Sequence, residues 1–270
     1  MPATPTDISF DSGATTYKPT NAYWLARAAN IAYQDKSTIQ AAVADIGLDN
    51  FQFLSHRDTE GYIAANERNI VVAFRGTEPS HIQDLLSDAK IHKVRGPLGR
   101  VHRGFLHAFE LVKDDMFDGI QRFRNEDKPQ SVWCTGHSLG AALAVVAVAE
   151  LLAEDQTVNG LYNFGQPRVG NKEFAHEFNS RFSDRHFRFV NNNDTVTRVP
   201  PREFGYKHTG TLRYIDNKGE IREAMGAWKR FLDRLKGRAD DLLDPGTDGL
   251  KDHSMGQYVE HIEHVLKPGA

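Results

Sequence analysis

Short apolar runs alternate along the chain with stretches of helical periodicity. Ile70 to Phe74, Ser131 to Thr135, Gly160 to Phe164 and His186 to Val190 are mostly apolar and only five or so residues long, the pattern of strands buried on both faces. Three of them stop at abrupt polar or turn-forming breaks: Arg75-Gly76, Gly165-Gln166-Pro167, and Asn191-Asn192-Asn193-Asp194. Gly61 to Ala65 predicts a further strand, and Leu212 to Ile215 an outer one. Helices are predicted over Asn21–Tyr33, where Trp24, Leu25, Ala28, Ala29 and Ala32 recur at helical spacing, over the Ala-rich Leu139–Leu152, and over Phe174–Phe182, Glu220–Arg238 and Asp252–Leu266. Residues 1–19 read as a loose polar leader. Apolar strands alternating with helices predict an α/β fold, with a mostly parallel central sheet covered by helices on both faces.

Length and composition narrow this picture. The 270 residues, 40% of them hydrophobic, suit one large core, so a single domain is expected over 1–270. A formal net charge of −3, from 33 basic and 36 acidic residues, gives no sign of nucleic-acid binding. One cysteine, Cys134, excludes an intrachain disulfide and suits a reducing compartment. Met1 to Gly13 carries no apolar signal region, and the chain has no run of about 18 apolar residues to span a membrane. A cytoplasmic location is therefore expected, with export without a cleaved signal as the alternative.

The chemistry is most legible at Gly136-His137-Ser138-Leu139-Gly140. This is a G-x-S-x-G pattern with a predicted strand before it and a long predicted helix after it, the context of a nucleophile elbow. The serine sits on a strained turn, and side chains at Gly136 and Gly140 would collide with the turn or its neighbours. The turn lifts the Ser138 hydroxyl out at the carboxyl end of the sheet and onto a helix N-terminus, which favours developing negative charge. His137 is adjacent and cannot be the base of Ser138; it reads as a packing residue.

A serine hydroxyl needs a general base, and the base needs a third group to orient it. In the α/β-hydrolase fold the order is serine, acid, histidine. Asp194, in the polar loop after the strand His186–Val190, fits the acid role. Asp216 competes, but precedes a turn at Asn217-Lys218-Gly219. Four histidines follow: His208, His253, His261 and His264. His253 stands at a loop-to-helix junction from which it can reach the sheet edge, whereas His261 and His264 lie inside the last helix.

The oxyanion of a tetrahedral intermediate needs two N–H donors. One is expected from Leu139, the residue after the nucleophile, and the other from Thr77, just after the strand that ends at Phe74. Beyond Thr77, the apolar residues Ile82, Leu85, Leu86 and Ala89 recur at i, i+3, i+4 and i+7, an amphipathic helix that reads either as a lid or as an ordinary surface helix. The basic, amphipathic stretch from Met225 to Arg238 reads either as a membrane-docking face or, in the blander sense, as a helix packed on the domain. Zinc-ligand spacing is absent, and no metal or cofactor is expected.

Several segments together resemble the class 3 (fungal-type) lipase family. They are Ala32-Tyr33, Gly61-Tyr62, Val71 to Thr77, Asp84 to Asp88, Val101 to Phe105, the elbow, Phe164 to Gly170, Phe187 to Val190 with Asp194, Tyr206 to His208, and Asp252-His253. The resemblance runs from about residue 20 to 266. It implies an α/β-hydrolase with a helical lid that hydrolyses carboxylic esters of acyl lipids, as a triacylglycerol lipase does. It assigns Ser138, Asp194 and His253 as a catalytic triad and Thr77 to the oxyanion hole. It also implies a lid after Thr77 and Asp88 as a partner of Thr77. Phospholipase A1 or short-chain carboxylesterase activity is the alternative within the same chemistry. A non-catalytic lipid-binding module is the alternative outside it. An acyl-ester lipid is the expected partner, with transient contact to a lipid surface.

Overall fold

A computed structural model describes residues 9–76, 92–223 and 252–266. The expected lid residues Ile82, Leu85, Leu86 and Ala89 lie outside these residues, as do Thr77, Asp88 and the basic stretch from residue 224 onward.

Helix α1 (Pro19–Ile31) opens on a proline, which suits the first helical turn because its missing N–H has no partner there. Helix α2 (Lys36–Ala44) starts from Asp35, whose carboxylate accepts from the main chain of Ser37 and Thr38. An antiparallel trio follows: β1 (Asn50–His56), β2 (Thr59–Ala65) and β3 (Asn69–Phe74). A hairpin, β4 (Lys93–Gly96) with β5 (Gly99–His102), leads into α3 (Arg103–Glu110) and α4 (Lys113–Phe123). Then come β6 (Ser131–His137), α5 (Leu139–Ala153), β7 (Gly160–Phe164), β8 (Gly170–Asn171), α6 (Lys172–Phe182) and β9 (His186–Asn191). The described chain closes with β10 (Tyr206–Lys207), β11 (Thr211–Ile215), β12 (Ile221–Glu223) and α7 (Met255–Leu266).

Eight strands form one sheet in the order β1-β2-β3-β6-β7-β9-β11-β12. The five strands from β3 to β11 are parallel, while β1, β2 and β12 run antiparallel at the edges. Every residue of β3, β6, β7 and β9 is buried, because helices cover both faces. One face packs against α3, α4, α5 and α6 in a cluster around Phe74, Phe105, Phe109 and Phe178. The other packs against α1, α2 and α7 around Trp133, Tyr162, Phe189 and Tyr258. Helix α5 is buried nearly all round, which its run of Ala, Val and Leu permits by letting backbones approach closely.

A second, four-stranded sheet, β10-β8-β5-β4, is built from the connections that follow the carboxyl ends of β3, β7 and β9. Nothing in the periodicity announced it. The expected helix Glu220–Arg238 does not hold at its start: Ile221–Glu223 pairs with β11 as β12, so β11 is not the sheet edge. Residues 9–18, expected to be loose, pack on the sheet. Phe10 meets Trp133 edge-on at 5.0 Å, Tyr17 meets Phe187 at 5.4 Å, and the Lys18 N–H donates to the Tyr162 hydroxyl at 3.1 Å.

Candidate active site

Strand β6 runs straight into Ser138, which takes φ 57° and ψ −125° before α5 begins at Leu139. A non-glycine residue with positive φ is strained, and here the surroundings enforce it. The Ser138 N–H is held by the Phe164 carbonyl at 3.0 Å. A side chain on Gly136 would strike the Gly140 carbonyl, and one on Gly140 would strike the Phe74 carbonyl. The elbow thus needs both glycines because helix α5 crosses β3 and β6 at backbone contact.

Asp194 lies past the end of β9, in a turn where its own Oδ1 accepts from the Val196 N–H at 2.9 Å. His253 lies just before α7. Its Nδ1 is 3.0 and 2.9 Å from the two carboxylate oxygens of Asp194. Both residues are buried. Gly165, at φ +59°, packs directly against this pair: a β-carbon there would lie 2.7 Å from the His253 ring and 2.9 Å from Asp194 Oδ2. Because Asp194 accepts at Nδ1, the proton sits on that nitrogen, and Nε2 keeps its lone pair. Nε2 of His253 and Oγ of Ser138 are both buried and have no hydrogen-bond partner among the described residues. No hydrogen bond joins them in this structure.

Three further residues brace the site, and none was given this role from sequence. The Tyr258 hydroxyl donates to Asp194 Oδ2 at 2.6 Å and accepts from the Asn191 N–H at 2.9 Å. Burial and the neighbouring Asp194 carboxylate hold its phenol well above the ordinary range, so it stays a donor. His137 does more than pack: its ring lies 4.4 Å from the His253 ring, and both its nitrogens are bonded. Burial, then the neighbouring His253, push its pKa well below the ordinary value. Tyr33, reached from the end of α1, supplies the bond to Nδ1 at 2.7 Å. The sequence signal for Tyr258 was its place on the buried face of the last helix; for Tyr33 it was only its place in a matching segment.

Asp216, the competing acid, is occupied elsewhere. Asp216 caps a turn, accepting from the Lys218 and Glu220 N–H groups and from Arg222. His261 lies beside Gly219, and His264 is exposed on α7. The Leu139 N–H is at the first position of α5, where a helix offers no internal acceptor. Among the described residues no cluster of three or more His, Cys, Asp or Glu could hold a metal ion. None of their helices is long and apolar enough to cross a membrane.

Comparison with known proteins fits this geometry. Residues 71–204 match the lipase (class 3) family. A secreted mono- and diacylglycerol lipase of Malassezia globosa is 35% identical over 156 residues, covering 54% of this chain and 51% of that protein. A lipase of Rhizopus niveus is 34% identical over 167 residues, 58% of this chain and 42% of that one. The chain therefore spans about half the length of the curated relatives it matches. Among solved structures, Rhizomucor miehei triacylglyceride lipase is 27% identical with a TM-score of 0.59, over 74% of this chain and 80% of that one. The mono- and diacylglycerol lipase of Aspergillus oryzae has the same fold, with a TM-score of 0.72 at 22% identity over 91% and 99%. The cytoplasmic location expected from the N-terminal composition and the lone cysteine is overturned: secreted lipases stand among these relatives, which points to export. The α/β-hydrolase fold and the resemblance read from the sequence both hold, and over residues 71–204 the chain belongs to the class 3 lipase family.

Proposed function

We propose that this protein is an exported, single-unit serine hydrolase that cleaves carboxylic esters of acyl lipids through Ser138, His253 and Asp194. The observation that carries the reading is the buried His253, bonded to Asp194 through Nδ1, with an unpartnered Nε2, beside an elbow whose serine oxygen is also unpartnered. An imidazole nitrogen and a hydroxyl buried without partners cost free energy, which a proton transfer between them turns to use.

In this mechanism His253 Nε2 takes the proton from Ser138 Oγ as the oxygen attacks the ester carbonyl carbon. Asp194 holds the tautomer and stabilises the imidazolium. The developing oxyanion is met by the N–H of Leu139 at the head of α5 and by Thr77. The imidazolium passes its proton to the leaving alcohol. Water, activated by the same nitrogen, then releases the fatty acid and restores Ser138. The relatives are named as lipases of mono-, di- and triacylglycerols, which supports glycerolipid esters as the substrate class.

The test is turnover of p-nitrophenyl esters of graded acyl length by the full chain and by Ser138→Ala. Loss of turnover of about 10⁴-fold or more is expected, the scale on which removing a triad member acts, with unfolding behaviour unchanged. Retained turnover in a folded Ser138→Ala would remove the mechanism.

A further inference from the structure

The carboxyl end of the sheet carries a charge distribution that the proposed chemistry does not use. Two segments build most of the small sheet, residues 92–103 and 198–208. Together they carry Lys93, Arg95, Arg100, Arg103, Arg198, Arg202 and Lys207 against a single acid, Glu203. In a chain of net charge −3, this is a local reversal of sign. Among the described residues none of these seven cations forms an ion pair. Arg95, Arg100, Arg103, Arg202 and Lys207 are exposed. Glu173 and Glu177 stand beside Arg95 and Arg100 across a cleft, accompanied by Arg181, and leave the excess positive.

Within this basic rim stands Phe204. It is 52% exposed, the more exposed of only two large exposed hydrophobic residues among the described ones. It is also presented rigidly. Pro200 and Pro201 precede it, a short 3-10 turn spans Arg202–Phe204, and Lys93 donates to the Phe204 carbonyl at 2.6 Å while lying over the Tyr206 ring. An aromatic side chain held out beside Lys93 and Arg202 matches a lipid interface, with the ring among acyl chains and the cations among anionic headgroups.

We propose that the β4–β5 hairpin and the 198–208 loop form a docking surface for anionic lipid surfaces, with Phe204 as its apolar anchor. The placement serves the reaction. This sheet is built from the connections after β3, β7 and β9, the last two of which carry Gly165 and Asp194, so a surface bound here lies at the end of the fold that holds Ser138. The proposal rests on the reading of the chain as an acyl-ester hydrolase, but its binding step is separable from hydrolysis.

The test is co-sedimentation of full-length Ser138→Ala, which removes hydrolysis, with phosphatidylcholine vesicles and with vesicles containing about one third phosphatidylglycerol. Preference for the anionic vesicles, lost at high salt, is expected. Each headgroup-facing cation contributes about fivefold in partitioning, so Arg95→Gln, Arg202→Gln and Lys207→Gln together should weaken anionic binding by about a hundredfold. Phe204→Ser should weaken binding to both vesicle types. Arg68→Gln with Lys128→Gln, at the opposite end of the sheet, should change neither. In the Ser138 background the triple and Phe204 variants should keep turnover of a water-soluble short ester. Equal binding to both vesicles, or anionic binding untouched by the triple change, overturns the docking surface. Absence of short-ester turnover in the unaltered protein instead overturns the hydrolase reading.

Discussion

The ring of His137 lies 4.4 Å from the ring of His253, and its Nε2 is 2.7 Å from the His253 main-chain carbonyl. A carbonyl only accepts, so Nε2 of His137 carries the proton, and Nδ1 accepts from the Tyr33 hydroxyl. His137 is thereby a neutral ring with both nitrogens satisfied. The residue before Ser138 thus holds the backbone of His253, so a contact between His253 and the immediate chain neighbour of Ser138 ties the two together.

His137→Phe keeps the ring shape and deletes both hydrogen bonds. The His253 carbonyl then loses a buried donor, a loss worth about 1–3 kcal/mol. His253 also becomes free to drift, and a displacement of about 1 Å costs on the order of 100-fold in rate. The expected result is a kcat on a soluble ester reduced by about ten- to a hundredfold with KM nearly unchanged. Steady-state kinetics on the purified variant checks it, and an unaltered kcat would show that the contact does not position the base.

Tyr258→Phe removes a hydroxyl that serves two groups at once, Asp194 Oδ2 and the Asn191 N–H. The bond to a carboxylate is the stronger kind. Destabilisation of about 2–3 kcal/mol is expected, read as a lower urea midpoint at constant slope. Turnover should fall as well, because among the described residues the Asp194 carboxylate keeps only the His253 ring and the Val196 N–H as partners. A variant as stable as the parent would mean that the tyrosine hydroxyl is not needed to satisfy the carboxylate.

The contrast between these residues and the proposed triad shows what sequence can carry. Ser138 was legible because its constraints are local: two glycines, a strand and a helix, all between Ser131 and Ala153. The strands β3, β6, β7 and β9 were legible because burial on both faces leaves an unbroken apolar run. Asp194 and His253 needed the fold's chain order and their positions at element ends. Tyr33 and Tyr258 act across 104 and 64 residues of chain, and no local pattern reports such a partner. The small sheet was missed because β8 and β10 are two residues each, too short for a period. Ile221–Glu223 read as helix because its charges suit a helix face, whereas pairing with β11 decides its state. Residues 9–18 looked loose because their polar composition hides Phe10 and Tyr17, which pack on Trp133 and Phe187.

Gly140→Ala adds one methyl group where helix α5 meets the end of β3. The new carbon would overlap the Phe74 carbonyl oxygen and press on Arg75. Backbone, unlike a side chain, cannot rotate away, so either α5 lifts from the sheet or the elbow distorts. Destabilisation of about 3 kcal/mol or more is expected, at the far end of single-substitution effects. Thermal unfolding of the purified variant, or its failure to accumulate in soluble form, checks this. A variant with the parent's midpoint would show that α5 has more room than the contact implies.

Acid should unfold this protein earlier than its carboxylates alone require. His137, His186 and His208 are all shielded from water, and burial first, then His253 for His137 and Arg188 for His186 and His208, push their pKa values well below the ordinary 6.5. The folded state therefore keeps these three rings neutral, while the unfolded chain binds a proton at each once the pH falls below 6.5. Stability linked to these three groups is fully present above that pH and is lost progressively as pH falls toward their folded-state values. Three such sites give a limiting slope of about 4 kcal/mol per pH unit. Urea unfolding at half-unit steps from pH 8 to pH 5 should show a midpoint that begins to fall near 6.5. His186→Asn, which removes one titrating ring, should lower the slope just below that point by about a third. A midpoint indifferent to pH between 7 and 5 would mean that the three rings are protonated in the folded protein, and with it the neutral His137 inferred at the site would fall.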